Sequence, residues 1–452
     1  MTKKILLVLT TVLCSASLWA APFRTDSLYS KWVIDSRMGD FRNKNSTEGF
    51  KTPTNEAHTI WDYVTGLVAK SILMAHEQYS HKPWSAYYLT GVQYFADNTA
   101  MTLGESNIDD LNAGKIFFEL YRAALAQGDM TKAATYKANA TLCRNKLKNE
   151  HTRIGGTLPG KGGFWHKKQY VNQMWLDGLY MGPALYAEWQ GNFGAELGEA
   201  DNTASWNDIA LQFDTIFHYT WDAQKKLNYH AWPLNSASSY WANATTGRSA
   251  EFWGRGMGWF FAALVDVLQY MPANHPARAR LVNYTNLVAD GLKARQDAAS
   301  GCWYQLLQYN NSMKGTSCNI SNYLEASASS MFTYAYYKGI RLGVLDKAVY
   351  KPVADKAYRG LIDKFVVEEG NGKIKIIASC ESAGLSGSRK GDANYYLCGS
   401  DVGINNNTEG KALGPFIMAS LEYEKANKTS TQKSELKKKR KYKSSKRCKT
   451  SK

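Results

Sequence analysis

Two acidic segments of the chain have the composition and spacing to do chemistry. Asp177 stands in M-W-L-D-G-L-Y-M at 174–181, on a predicted helix rich in Trp and Met. An acidic residue in such a setting is either a partnered buried group or an acid whose pKa burial has raised. Asp109 and Asp110 stand in N-I-D-D-L-N-A-G-K, where one Asp suffices to cap the following helix and the second is free for other work. The sequence therefore offers candidate carboxylates for general acid–base catalysis.

A glycine-rich segment with two indoles is the second candidate. W-G-R-G-M-G-W at 253–259 does not match the dinucleotide-binding pattern, and no Gly-Lys-Ser/Thr follows it to bind phosphate. Glycine at alternate positions lets a chain approach a ligand closely, and Arg255 lies between the two Trp residues. An Arg fork binds a carboxylate bidentately while Trp stacks on a sugar face. The alternative is a glycine-rich helix start whose Trp side chains belong to the core.

Metal chemistry is not indicated. His76 and His81 are five residues apart, which places them about 140° apart around a helix, whereas zinc-binding pairs need a spacing of four. No C-x-x-C is present after the N-terminal segment. The pairs Cys302/Cys318 and Cys380/Cys398 each enclose loop-like sequence, so we expect either these local disulfides or free buried thiols.

The net charge of +16 is distributed unevenly. Residues 1–21 read as a secretory signal, with a basic start, a short apolar stretch and small residues at its end, which predicts a secreted or periplasmic protein. Cys14 follows Leu13 where a lipoprotein needs a small residue, which argues against lipidation. Residues 428–452 carry 12 Lys or Arg and one Glu and read as a disordered basic tail. The intervening 22–427 is nearly neutral, so we expect no nucleic-acid partner.

Helical periodicity dominates 22–427, and the apolar runs there are too short for a membrane span. Two short strands are predicted at Cys302–Leu307 and Lys373–Ala378. Alternating helices and loops, with no fixed repeat that would indicate a solenoid, predict an all-α (α/α)6 barrel of six helical hairpins. The twelve candidate helices are 27–40, 58–79, 84–102, 112–126, 131–148, 173–189, 204–222, 257–271, 276–295, 323–342, 348–366 and 412–425.

Six motifs in order resemble the unsaturated glycuronyl hydrolases, most closely glycoside hydrolase family 105, with family 88 as its relative. They are W-D-Y-V-T-G-L at 61–67, I-D-D-L-N-A-G-K, G-F-W-H-K, M-W-L-D-G-L-Y-M, W-G-R-G-M-G-W and Y-L-E-A-S-A-S-S-M-F at 323–332. The resemblance covers roughly residues 27–425. The fold of these families is the (α/α)6 barrel, which agrees with the helix count.

The resemblance also implies site residues. By motif position, Asp177 is the general acid/base and Asp109 the second functional carboxylate, although the adjacent Asp110 leaves open which carboxylate is used. Arg255 is expected at the rim of the pocket. The residues expected to line the pocket of the unsaturated sugar are Tyr63, His166, Lys167, Trp175, His230, Arg255 and Trp259.

The implied activity is hydration of the C4=C5 double bond of a non-reducing-end unsaturated uronic acid, as in unsaturated galacturonyl-rhamnose from pectin breakdown. No metal or organic cofactor is implied. Three alternatives stay open: family 88-like action on unsaturated glucuronyl disaccharides of glycosaminoglycans, a non-catalytic polyanion-binding protein that uses the tail, and an epimerase on the same fold. The Asp-centred motifs speak against the epimerase, which would rely on paired His bases.

Overall fold

The computed structural model describes residues 23–24, 27–37, 50–51, 57–58 and 61–427. The predicted signal at 1–21 and the predicted tail at 428–452 lie outside these ranges. The helices of the described part are α1 (Tyr29–Arg37), α2 (Tyr63–Gln78), α3 (Ala86–Asn98), α4 (Ile116–Gln127), α5 (Met130–Asn145), α6 (Leu176–Met181), α7 (Pro183–Phe193), α8 (Glu199–Thr220), α9 (Gly254–Tyr270), α10 (Arg278–Lys293), α11 (Ala326–Arg341), α12 (Lys347–Phe365), α13 (Ala393–Cys398) and α14 (Gly410–Ala426).

The strands are short and form antiparallel pairs, namely β1–β2, β3–β6, β4–β5, β7–β8 and β9–β10. Their bounds are β1 (Phe50–Lys51), β2 (Ala57–His58), β3 (Gln173–Trp175), β4 (Trp221–Asp222), β5 (Leu227–Asn228), β6 (Ala231–Pro233), β7 (Val366–Glu368), β8 (Ile374–Ile376), β9 (Ser379–Cys380) and β10 (Ile404–Asn405). The strand predicted at 373–378 is confirmed by β8. The strand predicted at 302–307 is wrong, because Tyr304 and Leu306 make only isolated bridges.

Six helices pack into a closed inner ring, in the order α2, α14, α11, α9, α6–α7 and α4 with the 3-10 segment that precedes it. The remaining long helices pack outside: α3 on α2, α5 on α4, α8 on α7, α10 on α9, α12 on α11 and α1 on α14. Inner and outer helices thus alternate along the chain, which confirms the predicted (α/α)6 barrel. No described helix is both long and apolar enough to cross a membrane.

The core fills the ring because the inner helices are buried around most of their circumference. In α9 every residue from Gly254 to Val265 is buried, as expected for a helix with neighbours on all sides. Gly258 lies against α11, where a Cβ would come within 2.6 Å of the Met331 sulfur. This glycine of the W-G-R-G-M-G-W motif therefore permits close helix packing, which is the alternative that the sequence left open.

Of the two alternatives predicted for the cysteines, free buried thiols are confirmed for Cys302 and Cys380, and neither local disulfide forms. Cys318 instead bonds to Cys398, 80 positions further along the chain, with Cα atoms 5.5 Å apart. Cys143, Cys302 and Cys380 are buried free thiols. The pairs 302/318 and 380/398 are therefore wrong, because the fold places Cys302 under α12 and Cys380 beside Arg255, away from the loop of Cys318.

Candidate active site

The amino-terminal ends of the inner helices converge at one end of the barrel. Charged neighbours of the Tyr63 hydroxyl come from three other inner helices or the segments before them, namely Asp109, Arg255, Glu409 and Lys411. Partial positive charge from each helix end adds to the field at this place, which favours a bound anion. The residues at these six helix starts are Tyr63 (α2), Asp109 (before α4), Asp177 (α6), Arg255 (α9), Glu325 (α11) and Glu409 (α14).

Strand pairing brings Asp177 to His230. Trp175 in β3 pairs with Ala231 in β6, and the Leu176 N–H donates to the His230 carbonyl at 2.9 Å. Asp177 follows directly in the first turn of α6, and its Oδ2 lies 3.0 Å from His230 Nε2. Burial raises the pKa of Asp177, but the charge and hydrogen bond of His230 together lower it below its usual value. Of the two settings considered for this acid, the structure has the partnered one.

A second carboxylate is held by basic partners from a neighbouring loop. Asn107 and Lys167 form a β-bridge, and the Ile108 N–H donates to the His166 carbonyl at 3.2 Å. This pairing sets Lys167 Nζ 2.7 Å from Asp109 Oδ2 and His166 Nε2 3.6 Å from Asp109 Oδ1. Burial lowers the pKa of His166, against the opposing charge of Asp109.

The two adjacent carboxylates, Asp109 and Asp110, have different partners. Asp110 accepts from the Gly104 N–H at 2.9 Å and from the Asn107 side chain at 2.8 Å, and these hydrogen bonds stabilise the loop that precedes it. Burial raises the pKa of Asp110. The cap of the segment is Asn107, whose side chain accepts from the Asp109 N–H, and neither Asp serves as the cap. Asp109 is therefore free to contact Lys167.

Aromatic rings cover the back of the Asp177–His230 pair. Trp175 stacks on His166 with ring centroids 4.5 Å apart and on Tyr170 at 4.8 Å. The edge of His230 meets Trp175 at 5.4 Å, and Trp253 lies 4.6 Å from the other side of His230. His166 and Tyr170 are themselves parallel, with centroids 6.1 Å apart, so both rings stack on the same face of Trp175, which is 4% exposed.

Two predicted lining residues lie deeper than expected. Arg255 is only 1% exposed, and its guanidinium donates to the Cys380 carbonyl and, at 3.5 Å, to the Glu381 carbonyl. The expectation of Arg255 at the rim is therefore wrong. Trp259 belongs to the main core, where it packs on Tyr180 at 4.7 Å between ring centroids. The structure does not bring Trp259 into the group around Asp177, because it lies one turn further along α9 than Arg255.

Sequence reasoning missed five residues that complete this end of the barrel. Glu325 is fully buried and caps α11, and its Oε1 also accepts from the Cys380 N–H at 2.9 Å. Lys411 lies in the first turn of α14 with its Nζ 6.0 Å from the centre of the Tyr63 ring. A signal for both existed, since each stands at the start of an inner helix. The other three are Trp253, Cys380 and Tyr396.

The site thus combines two partnered carboxylates, several N–H donors and a ring of helix amino termini. Such a group can donate a proton, remove one from water and hold an acidic ligand. Within the described residues, no group of three His, Cys, Asp or Glu has the arrangement of metal ligands. In this group Asp177 contacts a histidine, and Asp109 contacts a histidine and a lysine.

Comparison with known proteins agrees with this chemistry. The family model described as Glycosyl Hydrolase Family 88 matches residues 29–427. A solved glycoside hydrolase of family 105 from C. acetobutylicum ATCC 824 is 33% identical, with a TM-score of 0.71 over 88% of this chain and 100% of that one.

More distant relatives extend the comparison. The unsaturated 3S-rhamnoglycuronyl hydrolase of Alteromonas sp. (strain LOR) is 29% identical over 119 residues, which is 26% of each chain. The unsaturated glucuronyl hydrolase of Bacillus sp. GL1 is 13% identical with a TM-score of 0.57, over 88% of this chain and 97% of that one, and it shares the fold.

Proposed function

The chain belongs to glycosyl hydrolase family 88 and is a glycosidase, and from this we propose that it hydrates the double bond of an unsaturated uronic acid at the non-reducing end of an oligosaccharide. The observation that carries the proposal is the Asp177–His230 pair, 3.0 Å apart, at the convergence of the inner helix amino termini. A proton donor and a positive field for a carboxylate are what this reaction needs.

In the proposed mechanism, Asp177 protonates C4 of the C4=C5 bond, which is an enol ether because the ring oxygen is attached to C5. The positive charge that develops is shared between C5 and the ring oxygen, and water then attacks C5. Asp177, now a carboxylate that accepts from His230, removes a proton from that water. The hemiketal opens and releases the rest of the saccharide, so no displacement at C1 occurs and the carboxylate-spacing rule of ordinary glycosidases does not apply.

We propose that the cations beside the helix starts bind the carboxylate of the uronate. Lys167 is 29% exposed in its side chain and is fixed by Asp109, and Lys411 is fixed by Glu409. Tyr63 lies between them, and its hydroxyl is close enough to both Lys411 and Asp109 to feel their charges. Arg255 contributes indirectly, because it donates to the carbonyls of Cys380 and Glu381 and holds that segment in place. Asp109 would orient the sugar or the attacking water.

The substrate that we propose is unsaturated galacturonyl-rhamnose from rhamnogalacturonan. The support is the 33% identity to the family 105 protein, since the relative named a rhamnoglycuronyl hydrolase aligns over only a quarter of the chain. Turnover should be compared on this disaccharide and on a chondroitin-derived unsaturated disaccharide. A higher kcat/KM on the chondroitin-derived disaccharide would contradict the proposed pectin-derived substrate and would support a glycosaminoglycan-derived substrate.

The disulfide between Cys318 and Cys398 supports a further part of the proposal, namely that the protein works outside the cytosol. Disulfides persist in oxidising compartments such as the periplasm or the medium. Fractionation of cells that express the full chain, with thiol labelling of each fraction, would test it. Recovery of the protein in the cytosol with both thiols free would contradict it.

Asp177→Asn tests the proposed chemistry directly. We expect kcat on unsaturated galacturonyl-rhamnose to fall by at least ~100-fold, because the variant has lost its general acid and base. The measurement is loss of the ultraviolet absorbance of the double bond. Asp214→Asn makes the same change on the outer helix α8, where Asp214 pairs with Arg280, and should retain turnover. Undiminished loss of absorbance in the Asp177 variant would overturn the assignment.

A further inference from the structure

His230 is enclosed by the protein, and its two ring nitrogens have different partners. The residue is 0% exposed. Nε2 lies 3.0 Å from Asp177, while Nδ1 lies 2.7 Å from the hydroxyl of Tyr396 in α13. Tyr396 is also fully buried, and this is the hydrogen bond that its hydroxyl makes within the described part of the chain. Asp177, His230 and Tyr396 therefore form a continuous chain of hydrogen bonds.

The type of partner at Nδ1 matters because it decides which ring nitrogen of His230 carries the proton. The proton that Asp177 gives to C4 is replaced by one from the attacking water, so the ring proton of His230 stays in place during the proposed reaction. If Nε2–H donates to Asp177 throughout, Nδ1 carries no proton and needs a donor. A phenol hydroxyl can donate to Nδ1, whereas a carbonyl or carboxylate in this position could only accept and would require the opposite tautomer.

Tyr396 is held in place by contacts around α13. Cys398, two residues further on, is bonded to Cys318 in the 296–322 loop region. Gln305 Nε2 donates to the Tyr396 carbonyl at 3.2 Å, and the Tyr396 ring stacks on Trp253 with centroids 5.9 Å apart. The hydroxyl is thus aimed at His230 by covalent, polar and aromatic contacts.

We propose that Tyr396 is a positioning residue that donates to His230 Nδ1 and so fixes the tautomer whose Nε2–H donates to Asp177, and that the disulfide of α13 holds it there. The proposal rests on the proposed function for its catalytic consequence. Its structural content, the partner of Nδ1, can be tested without substrate. Tyr396 does not touch substrate, because it is buried behind His230.

Other titratable groups lie close to this chain of hydrogen bonds. His166 lies near Asp177 and is itself next to Asp109 and Lys167. Tyr395, Glu251 and Cys380 lie near Tyr396. Burial raises the pKa of Tyr396 well above its usual value, so the phenol keeps its proton at every pH used below. A control must separate the ionisation of three of these groups from that of the pair, namely His166, Glu251 and Cys380.

The main test is Tyr396→Phe in the full chain. Removing the hydroxyl leaves Nδ1 without a donor and allows the tautomer in which Nε2 has no proton for Asp177. The hydrogen bond of His230 is one cause of the lowered pKa of Asp177, so its loss should move the alkaline limb of the kcat/KM profile to higher pH by about one unit. We expect kcat to fall with little change in KM, because Asp177 is no longer oriented. Tyr395→Phe is the matched control, because its hydroxyl bonds to Gly384 and Asp401 and not to His230. That variant should keep the wild-type limb.

A substrate-free measurement separates the inference from the proposed function. In protein labelled with 15N-histidine, the His230 signals, assigned by their loss in His230→Gln, should show Nδ1 without a proton in the wild type and a mixture of both tautomers in Tyr396→Phe. If the wild type fails to turn over any unsaturated uronide but this change of tautomer is seen, the proposed function is wrong and the positioning role stands. An unchanged limb and the same His230 tautomer in both proteins would overturn the positioning role.

The anchoring role of the disulfide has its own variant. Cys318→Ser combined with Cys398→Ser should lower kcat and move the alkaline limb in the same direction as Tyr396→Phe, because α13 loses its covalent tether. Unchanged kcat and an unchanged limb in the double variant would overturn the anchoring part. Circular dichroism of the double variant would verify that it is folded before these rates are compared.

Discussion

At the scale of single residues, burial alone does not decide how an acid is tuned. Asp177 lies in the apolar setting that would raise its pKa, yet the contact with His230 lowers it. The catalytic proton therefore belongs to the pair and not to Asp177 alone, and the pH dependence of the reaction is a property of both groups. Glu251 shows the opposite outcome, because burial without a cationic partner in contact raises its pKa to about 7.

Arg255 gives a prediction at this scale. Because its guanidinium is buried and donates to carbonyls of Cys380 and Glu381, Arg255→Met should lower the free energy of unfolding by about 2–3 kcal/mol. Arg280→Met is the control, since Arg280 is 53% exposed and pairs with Asp214 at the surface, where the cost should be below ~1 kcal/mol. Urea unfolding of both variants provides the measurement. Equal losses in the two variants would contradict this structural role of Arg255.

At the scale of elements, the position of Asp109 depends on how closely its 3-10 segment, Ile108–Lys115, packs on α2. A Cβ on Gly66 in α2 would come within 2.3 Å of the Ala113 Cα in that segment, a distance that backbone atoms cannot accommodate without moving. Eight residues of 3-10 helix is a long run for this conformation, which suits a segment shaped by its packing. The contact therefore fixes where Asp109 stands relative to Tyr63 at the start of α2.

Gly66→Ala should separate these two elements. We expect a loss of stability of ~1–3 kcal/mol from overpacking and a fall in kcat beyond that of the unfolded fraction, because Asp109 is displaced. Gly155→Ala is the control, since a Cβ there meets nothing within 4 Å. Thermal unfolding and turnover of both variants would be compared. Full activity in a destabilised Gly66→Ala protein would show that the contact supports the barrel alone.

Helix periodicity predicted the barrel because five of the inner helices, α2, α4, α9, α11 and α14, have 12 to 17 residues, long enough for a local repeat to be visible. The same periodicity predicted one helix over 173–189, whereas the structure has β3, α6 and α7 there. β3 exists because it pairs with β6, almost sixty residues away, and a local pattern carries no information about a distant partner. Pro183 starts α7, consistent with the preference of proline for the first turn. The six-residue α13, which bears Tyr396, is too short for periodicity to detect.

The candidate site was predictable to the same degree. Motifs located Asp177, Asp109, His166, Lys167 and His230, which the structure brings together, because each motif lies at the start of an inner helix or in the loop before it. The depth at which each side chain is buried was not predictable, since the sequence does not indicate which of two aromatic residues in one motif lies at the site. The structure places Trp253 against His230 and leaves Trp259 in the main core.

At the scale of the whole molecule, the ring of inner helices has two electrically different ends. The amino termini meet at the candidate site, while the last turns of α2, α9, α11 and α14 line a cavity of about 310 Å³ at the opposite end. Helix carboxyl termini favour cations, and six Lys or Arg line this cavity beside five Asp or Glu. Lys115 is the cation of this set for which the described part of the chain shows no carboxylate in contact. Its Nζ instead donates to the Tyr180 carbonyl at 2.6 Å.

Lys115 therefore predicts a pH-dependent term in the stability of the barrel. Burial lowers its pKa to about 7, so between pH ~7 and ~10 the unfolded chain binds more protons than the folded one, and stability rises with pH across that window. The free energy of unfolding of the wild type minus that of Lys115→Met should increase by up to ~1.4 kcal/mol per pH unit. Gln269→Met, which alters the same cavity without a titratable group, should give a flat difference. The measurement is urea unfolding at pH 6, 8 and 9.5. If the difference in unfolding free energy between the wild type and Lys115→Met does not change with pH, the lysine stays protonated throughout. The helix carboxyl termini would then stabilise its charge fully.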